Sequence, residues 1–271
     1  MKIGIVGNGV VGSATAHAFR EHEVRITDRM RAKETHQLSD VLECDIVFIC
    51  LPTPQKEGSL ECDTSVIDSF FQFGLPDRFK QANFVLRSTV SVGYTRAARE
   101  WFGLPNLVHS PEFLTARTAK EDACNPTRMI IGGNQSYGSQ TLLSQNPVAL
   151  HNLYVQRWPQ VPLYHMSSDE SEFVKLMQNS FSAVKVAFFN EVRTFADVKS
   201  LDWNRCLEAL LAGGWINPAH TQVPGPDGKR GFGGTCLPKD LASLSYQMDA
   251  MGLDADVCLA AYYRNQEIDR K

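Results

Sequence analysis

A chain of 271 residues, 43% hydrophobic and 21% charged, has the length of about two domains and the composition of a globular protein, not of a disordered or fibrous one. Its formal net charge of -3, with no run of Lys or Arg, supplies no basic field to gather phosphates, so nucleic acid is not an expected partner. No apolar run reaches bilayer-spanning length and the opening residues Lys2 to Val6 already read as a buried strand, so neither a membrane span nor a signal peptide is expected.

Short apolar runs recur between helical stretches: Lys2 to Val6, Glu23 to Thr27, Asp45 to Leu51, Asn83 to Ser88, Asn106 to His109, Arg128 to Ile131 and a weaker Val161 to His165. Nearly continuous apolar strands alternating with helices predict a doubly wound parallel sheet covered on both faces. From Ser168 to about Lys199 there is no Pro or Gly, and apolar residues repeat at helical spacing (Phe173, Met177, Phe181, Val184, Phe188, Val192, Phe195), which predicts one long helix. Ser167 and Glu170 form a capping box at its start. Further helices are expected over Asp202 to Ala212, about Cys236 to Met251, and Asp254 to the C-terminus. The fold class is thus α/β, with residues 1–166 forming the sheet domain and 167–271 a mainly helical one. Apolar residues on the long helix spread beyond a single stripe, and a homodimer seam is the expected use of the surplus. Seven cysteines without a CxxC pair fit a reducing cytoplasm, and seven scattered histidines offer no metal-ligand spacing, so no metal is expected.

Gly7-Asn8-Gly9-Val10-Val11-Gly12 follows the first strand directly and opens a helix. In that setting Gly7 permits the tight turn, Gly9 admits a pyrophosphate close to backbone, Gly12 lets helix pack on strand, and the helix N-terminus offers N–H groups to phosphate. This is the Rossmann fingerprint. Asp28, ending the second strand, is placed to accept ribose hydroxyls; facing a 2'-phosphate at about 4 Å it would be repelled by up to ~4 kcal/mol, which favours NAD over NADP. Arg29 beside it could hold a phosphate or stack on adenine, and FAD stays open on this motif alone. Strands three and four end in Leu51-Pro52-Thr53-Pro54 and Ser88-Thr89-Val90, whose hydroxyls either reach a ribose or substrate or cap the following helices.

Arg230-Gly231-Phe232-Gly233-Gly234-Thr235-Cys236-Leu237-Pro238-Lys239-Asp240 puts a cysteine after close-wrapping glycines. With Thr235 as N-cap, Cys236 would sit at the positive end of a helix near Lys239, where a thiol acidifies and becomes a usable nucleophile; a buried structural cysteine is the competing reading. Asp240 falls on the same helical face and can orient a water or take a proton. Lys175 and Asn179 are four apart on the long helix and can stabilise an oxyanion, unless Lys175 merely pairs with Glu172.

Taken in order, Gly7 to Gly12, Leu51-Pro52-Thr53-Pro54, Ser88-Thr89-Val90, Pro111-Glu112-Phe113-Leu114, Glu172 with Lys175 and Asn179, Asn190-Glu191 and Gly231 to Asp240 resemble the UDP-glucose/GDP-mannose dehydrogenase family. The resemblance implies oxidation of a nucleotide sugar's primary alcohol to a carboxylate with two NAD per turnover, through a thiohemiacetal and then a thioester on Cys236. It implies oxyanion stabilisation by Lys175 and Asn179, a water held by Asp240 and Thr89, and assistance by Glu112. It also implies a sugar-nucleotide site lined by Phe113, Leu114, Thr115, Phe232, Gly233 and Gly234. Ala116 and Arg117 stand where that family usually has an acid, and Ser91 where it has a proline; Lys271 falls near where members enter a third, nucleotide-binding domain. Two other readings are a single-step hydroxyacid dehydrogenase and a non-catalytic NAD-binding remnant.

Overall fold

The computed structural model describes residues 1–30, 36–134 and 148–271. Its contacts divide the chain into two compact units: residues 1–53 with 63–175, and 54–62 with 176–271.

The first unit runs β1 (Lys2–Val6), α1 (Val10–Ala18), β2 (Glu23–Thr27), α2 (Leu38–Leu42), β3 (Ile46–Ile49), α3 (Ser65–Ser69), β4 (Phe84–Leu86), α4 (Tyr94–Phe102), β5 (Val108–His109), α5 (Ala119–Cys124), β6 (Met129–Gly133), α6 (Val148–Arg157) and β7 (Leu163–Ser167). Among the described residues these strands make one sheet in the order β2-β1-β3-β4-β5-β6-β7. Strand residues alternate between two cores. Ile46 and Phe48 join Ile3, Ile5, Phe19 and Tyr154 on one face, while Val47 and Ile49 join Ile67, Phe71 and Phe84 on the other. Burial on both faces is why β3 is apolar at every position.

The expected all-parallel sheet needs one correction, since β5 pairs β6 antiparallel through His109 and Gly132. With only two residues in β5, hydrophobic pattern carries no information about direction.

The helix α7 (Ser168–Val198) is continuous, as the missing Pro and Gly predict. Its capping box forms as read: Ser167 N donates to Glu170 Oε2 at 2.7 Å, and Glu170 N donates to Ser167 Oγ at 3.2 Å. The division between units falls inside α7 at Lys175, later than the boundary at residue 166 that the change of sequence character suggests. Its first turns lie close on β6, because a β-carbon on Gly132 would stand 2.5 Å from that of Ser171.

The second unit continues α7 and adds α8 (Trp203–Ala212), α9 (Leu237–Ala250) and α10 (Asp256–Arg264). Asp202 caps α8 by accepting from Arg205 N at 3.1 Å. Ala183, Ala187, Phe232, Leu241 and Ala261 form one core of this unit, and Phe189, Ala196, Trp203 and Val223 another. Along α7, Phe173, Met177, Phe181, Phe188, Phe195 and Val198 remain exposed. No described helix is long and apolar enough to cross a membrane.

Gly132→Ala should destabilise the first unit by about 1–3 kcal/mol, the usual cost of overpacking, because backbone and Ser171 leave no room for a methyl. Urea unfolding measures this; an unchanged midpoint would show that α7 does not press on β6 as described.

Candidate functional site

In the first unit the glycine turn is required at two positions by the protein's own packing. Gly7 has φ +95°, and a β-carbon there would fall 2.4 Å from the Cys50 carbonyl oxygen. At Gly12 a β-carbon would fall 1.9 Å from the Gly7 carbonyl oxygen. Gly9 differs, because nothing lies within 4 Å of where its β-carbon would be, so the protein's own packing does not require a glycine there. Gly9 also occupies the N-cap of α1 without a side-chain cap, leaving first-turn N–H groups for an anion.

Asp28 stands at the end of β2 as expected, with Oδ2 accepting from Asn8 N at 2.6 Å and Oδ1 from Met30 N at 2.8 Å. These bonds fix the carboxylate beside the turn, and each oxygen retains capacity for a ribose hydroxyl. Arg29 is exposed. The residues present therefore fit a dinucleotide: Asn8 to Val11 toward the pyrophosphate and Asp28 toward the ribose.

Two of the strand-end hydroxyls, those of Thr53 and Ser88, donate to backbone and cap no helix. Thr53 Oγ1 donates to the Thr89 carbonyl at 2.7 Å and Ser88 Oγ to the Leu51 carbonyl at 2.6 Å. They staple the segments after β3 and β4 to each other. Leu51, Pro52, Ser88 and Thr89 are thereby held together where carboxyl ends of adjacent parallel strands meet.

Lys175 is almost fully buried, and its ammonium donates to the Glu112 carbonyl at 2.6 Å and to Glu112 Oε1 at 3.1 Å. The other carboxylate oxygen of Glu112 accepts from Leu114 N at 2.7 Å, and Lys175 lies 5.5 Å from the centre of the Phe113 ring. A cavity of about 230 Å³ opens beside this group, lined among others by Arg87, Glu112, Phe113, Leu114, Thr115 and Arg128. The guanidinium of Arg128 stacks on Phe113 at 3.9 Å. Glu172 is not the partner of Lys175; its oxygens accept from Gly93 N and Thr95 N.

Sequence reasoning missed His109 and Arg87 here. His109 Nδ1 lies 2.8 Å from Ser171 Oγ, and burial, reinforced by the charges of Arg87 and Lys175, pulls the imidazole down to about 3. It is neutral at any working pH. Both are ordinary strand residues by pattern, so only the fold reveals them.

In the second unit Asn179 Nδ2 donates to Asp240 Oδ2 at 2.6 Å, and Lys239 Nζ donates to Oδ1 of the same buried carboxylate. Burial alone would lower the Lys239 ammonium, but the charge and hydrogen bond of Asp240, helped by Cys62 and Cys236, outweigh it and leave its pKa raised. Cys236 is exposed and is itself the N-cap residue of α9, which corrects the expectation that Thr235 caps the helix. Thr235 Oγ1 lies 3.8 Å from its sulfur instead. Pro238 sits in the first turn, where its missing N–H costs nothing.

The loop before Cys236 is clamped from behind. Gly231 N donates to Asn190 Oδ1 at 3.0 Å; Phe232 N donates to Asn265 Oδ1 at 2.8 Å and its carbonyl accepts from Asn265 Nδ2 at 3.0 Å. A β-carbon on Gly231 would strike Asn265 Oδ1 at 2.4 Å. Gly233 and Gly234 lead forward to the thiol, with nothing near Gly234. Asn265 was not legible as a site residue, since nothing in its own neighbourhood announces a partner 33 positions away.

Asn265→Ala should cost roughly 1–3 kcal/mol for each of the two backbone groups it orphans, read by chemical unfolding. A loss within the ±0.5 kcal/mol typical of surface changes would contradict the clamp.

Residues 25–145 match the NAD binding domain of the UDP-glucose/GDP-mannose dehydrogenase family, and residues 169–267 match its central domain. The chain is 30% identical to a UDP-glucose 6-dehydrogenase of Campylobacter jejuni, the match covering 90% of this chain and 67% of that protein. In fold it is similar to a UDP-glucose dehydrogenase from Pyrobaculum islandicum (TM-score 0.77, 23% identity, 98% of this chain and 68% of that one). It is also similar in fold to a 3-hydroxyisobutyrate dehydrogenase of Mycobacterium tuberculosis (TM-score 0.69, 18% identity, 98% and 92%). Fold alone therefore does not separate the two enzyme classes, whereas the sequence relationship does: the chain belongs to the UDP-glucose/GDP-mannose dehydrogenase family and is an NAD-dependent oxidoreductase.

Proposed function

We propose that the protein oxidises the primary alcohol of a nucleotide sugar, of the UDP-glucose kind, to the carboxylate, with two NAD reduced and one water consumed per sugar. NAD, when bound, accepts the hydride in each oxidation. The observation that carries the proposal is the exposed Cys236 at the start of α9, on a glycine loop clamped by Asn190 and Asn265 and followed one turn later by the Asn179–Asp240 pair.

In this reading the Cys236 sulfur adds to the aldehyde made by the first oxidation and keeps it bound as a thiohemiacetal. The second oxidation yields a thioester, which water hydrolyses to free the acid and the thiol. Lys175 and Asn179 stabilise the oxygen as it gains negative charge. Asp240 and Thr89 hold the water, and Glu112 handles the proton. Phe113, Leu114, Thr115, Phe232, Gly233 and Gly234 contact the sugar nucleotide. The free cysteines fit a cytoplasmic enzyme.

A covalently retained aldehyde makes the stoichiometry diagnostic. With a panel of UDP- and GDP-sugars, about two NADH should form per sugar consumed, and Cys236→Ser should lose turnover by several orders of magnitude. A ratio near one with an unaffected variant favours the single-step hydroxyacid dehydrogenase; no NADH with any sugar favours a non-catalytic remnant.

The exposed apolar residues of α7 seat a second copy of the chain in this proposal, since Phe181, Phe188 and Phe195 lie at seven-residue spacing along a helix of 31 residues. Sedimentation should show a dimer for the natural chain and a monomer for Phe181→Glu combined with Phe188→Glu. A monodisperse monomer of the natural chain at working concentration excludes this seam.

A further inference from the structure

We propose that Glu172 is a positioning residue for the oxidation: its carboxylate bolts the segment that carries Ser88 and Thr89 to the turn of α7 that carries Lys175. The proposal rests on the roles assigned above to Thr89 and Lys175.

Glu172 is completely buried. One of its oxygens accepts from Gly93 N at 2.6 Å and the other from Thr95 N at 2.8 Å. These amides belong to the N-terminus of α4, where first-turn N–H groups lack partners within the helix. Gly93, the N-cap residue, has φ +92° and brings no side-chain cap of its own. The cap arrives from α7, as many as 79 residues away in sequence. On the other side of the bolt, Thr89 lies four residues before Gly93 and Lys175 three residues after Glu172.

A carboxylate is required here, not just a polar side chain. Two N–H groups point at two different oxygens; an amide would offer one acceptor and turn an NH₂ toward the other N–H. Charges of both signs surround it, and the guanidinium groups of Arg99 and Arg96 on α4 attract it. Asp169 on α7 adds repulsion and is itself bonded to Arg96 of α4. Arg99 of α4 donates to Ser168 Oγ and the Leu107 carbonyl, and Glu172 acts on its charge more than Asp169 or Glu100 does. Burial pushes the Glu172 carboxyl up to about 7, against the pull of the hydrogen bonds from Thr95 and Gly93.

This shift has a sign that separates positioning from simple structural support. The folded value lies above the ordinary 4.5, so between about 4.5 and 7 the folded protein holds a proton that the unfolded chain lacks. This group's contribution to stability therefore falls as pH rises through that window and gains on acidification. Positioning runs the other way, because protonation turns one of the two acceptors into a donor. Activity and stability should thus move in opposite directions below pH 7.

The experiment is amide hydrogen exchange over residues 88–95, together with pH profiles of kcat and KM, for the natural protein, Glu172→Gln and Glu172→Asp. The Gln variant should exchange Gly93 and Thr95 faster and show kcat lowered on the order of tenfold to a hundredfold, with KM little changed, at temperatures well below its melting transition. It should also lack the acid limb near pH 7. The Asp variant, too short to reach both amides, should show the same faster exchange. Unaltered exchange in both variants, or a natural kcat and pH profile in the Gln variant, would overturn the proposal, as would a kcat loss that tracks general unfolding. If the natural protein makes no NADH from any nucleotide sugar, the functional reading fails by itself, while exchange over 88–95 still decides whether the bolt exists.

Discussion

An ionised side chain taken out of water is tolerated only where donors or an opposite charge meet it, since the effective penalty is several kcal/mol for each ion. The front of α7 is organised by that constraint. Lys175 enters the interior because Glu112 meets it with both a carbonyl and a carboxylate oxygen. Glu112 in turn is held by the backbone of Leu114, so cation, acid and the 112–114 segment are fixed as one group. Removing either partner would leave an uncompensated charge, at about 3–5 kcal/mol. The same rule governs the second unit, where the buried Asp240 is shared between Asn179 and Lys239. Lys175, Asn179 and Asp240, offered above as oxyanion stabilisers and water holder, are thus also residues whose own burial demands a partner, which leaves them pre-oriented before any substrate arrives.

Much of the nucleotide half was legible because it rests on local rules. A glycine turn between strand and helix, an acid at the end of the next strand, and a capping box before a stretch free of Pro and Gly each declare themselves within a few residues. The structure places Gly7, Gly12, Asp28, Ser167 and Glu170 in those roles.

What escaped the sequence was set by partners far along the chain. Glu172 reads as the helical neighbour of Lys175, yet its oxygens are taken by amides of α4. Thr53 and Ser88 each donate to a carbonyl more than 30 positions away and so tie adjacent strand ends together, a contact their own neighbourhoods do not announce. Asn265 and Arg270 carry no motif, though Asn265 bonds both backbone groups of Phe232 and Arg270 donates to the Gly231 carbonyl. The reversed direction of β5 against β6 and the one-residue shift of the α9 cap are failures of a different kind: short elements and helix ends are decided by tertiary packing, which overrides pattern.

The central claim is that Cys236 becomes bonded to the sugar during turnover. Acid quench of the protein during steady-state oxidation of a labelled nucleotide sugar, followed by mass spectrometry of the peptide containing residues 230–239, tests it most directly. The account predicts label on Cys236 with the mass of the sugar nucleotide oxidised to its acyl level, absent when NAD is omitted. A peptide that stays unmodified while NADH accumulates would contradict it.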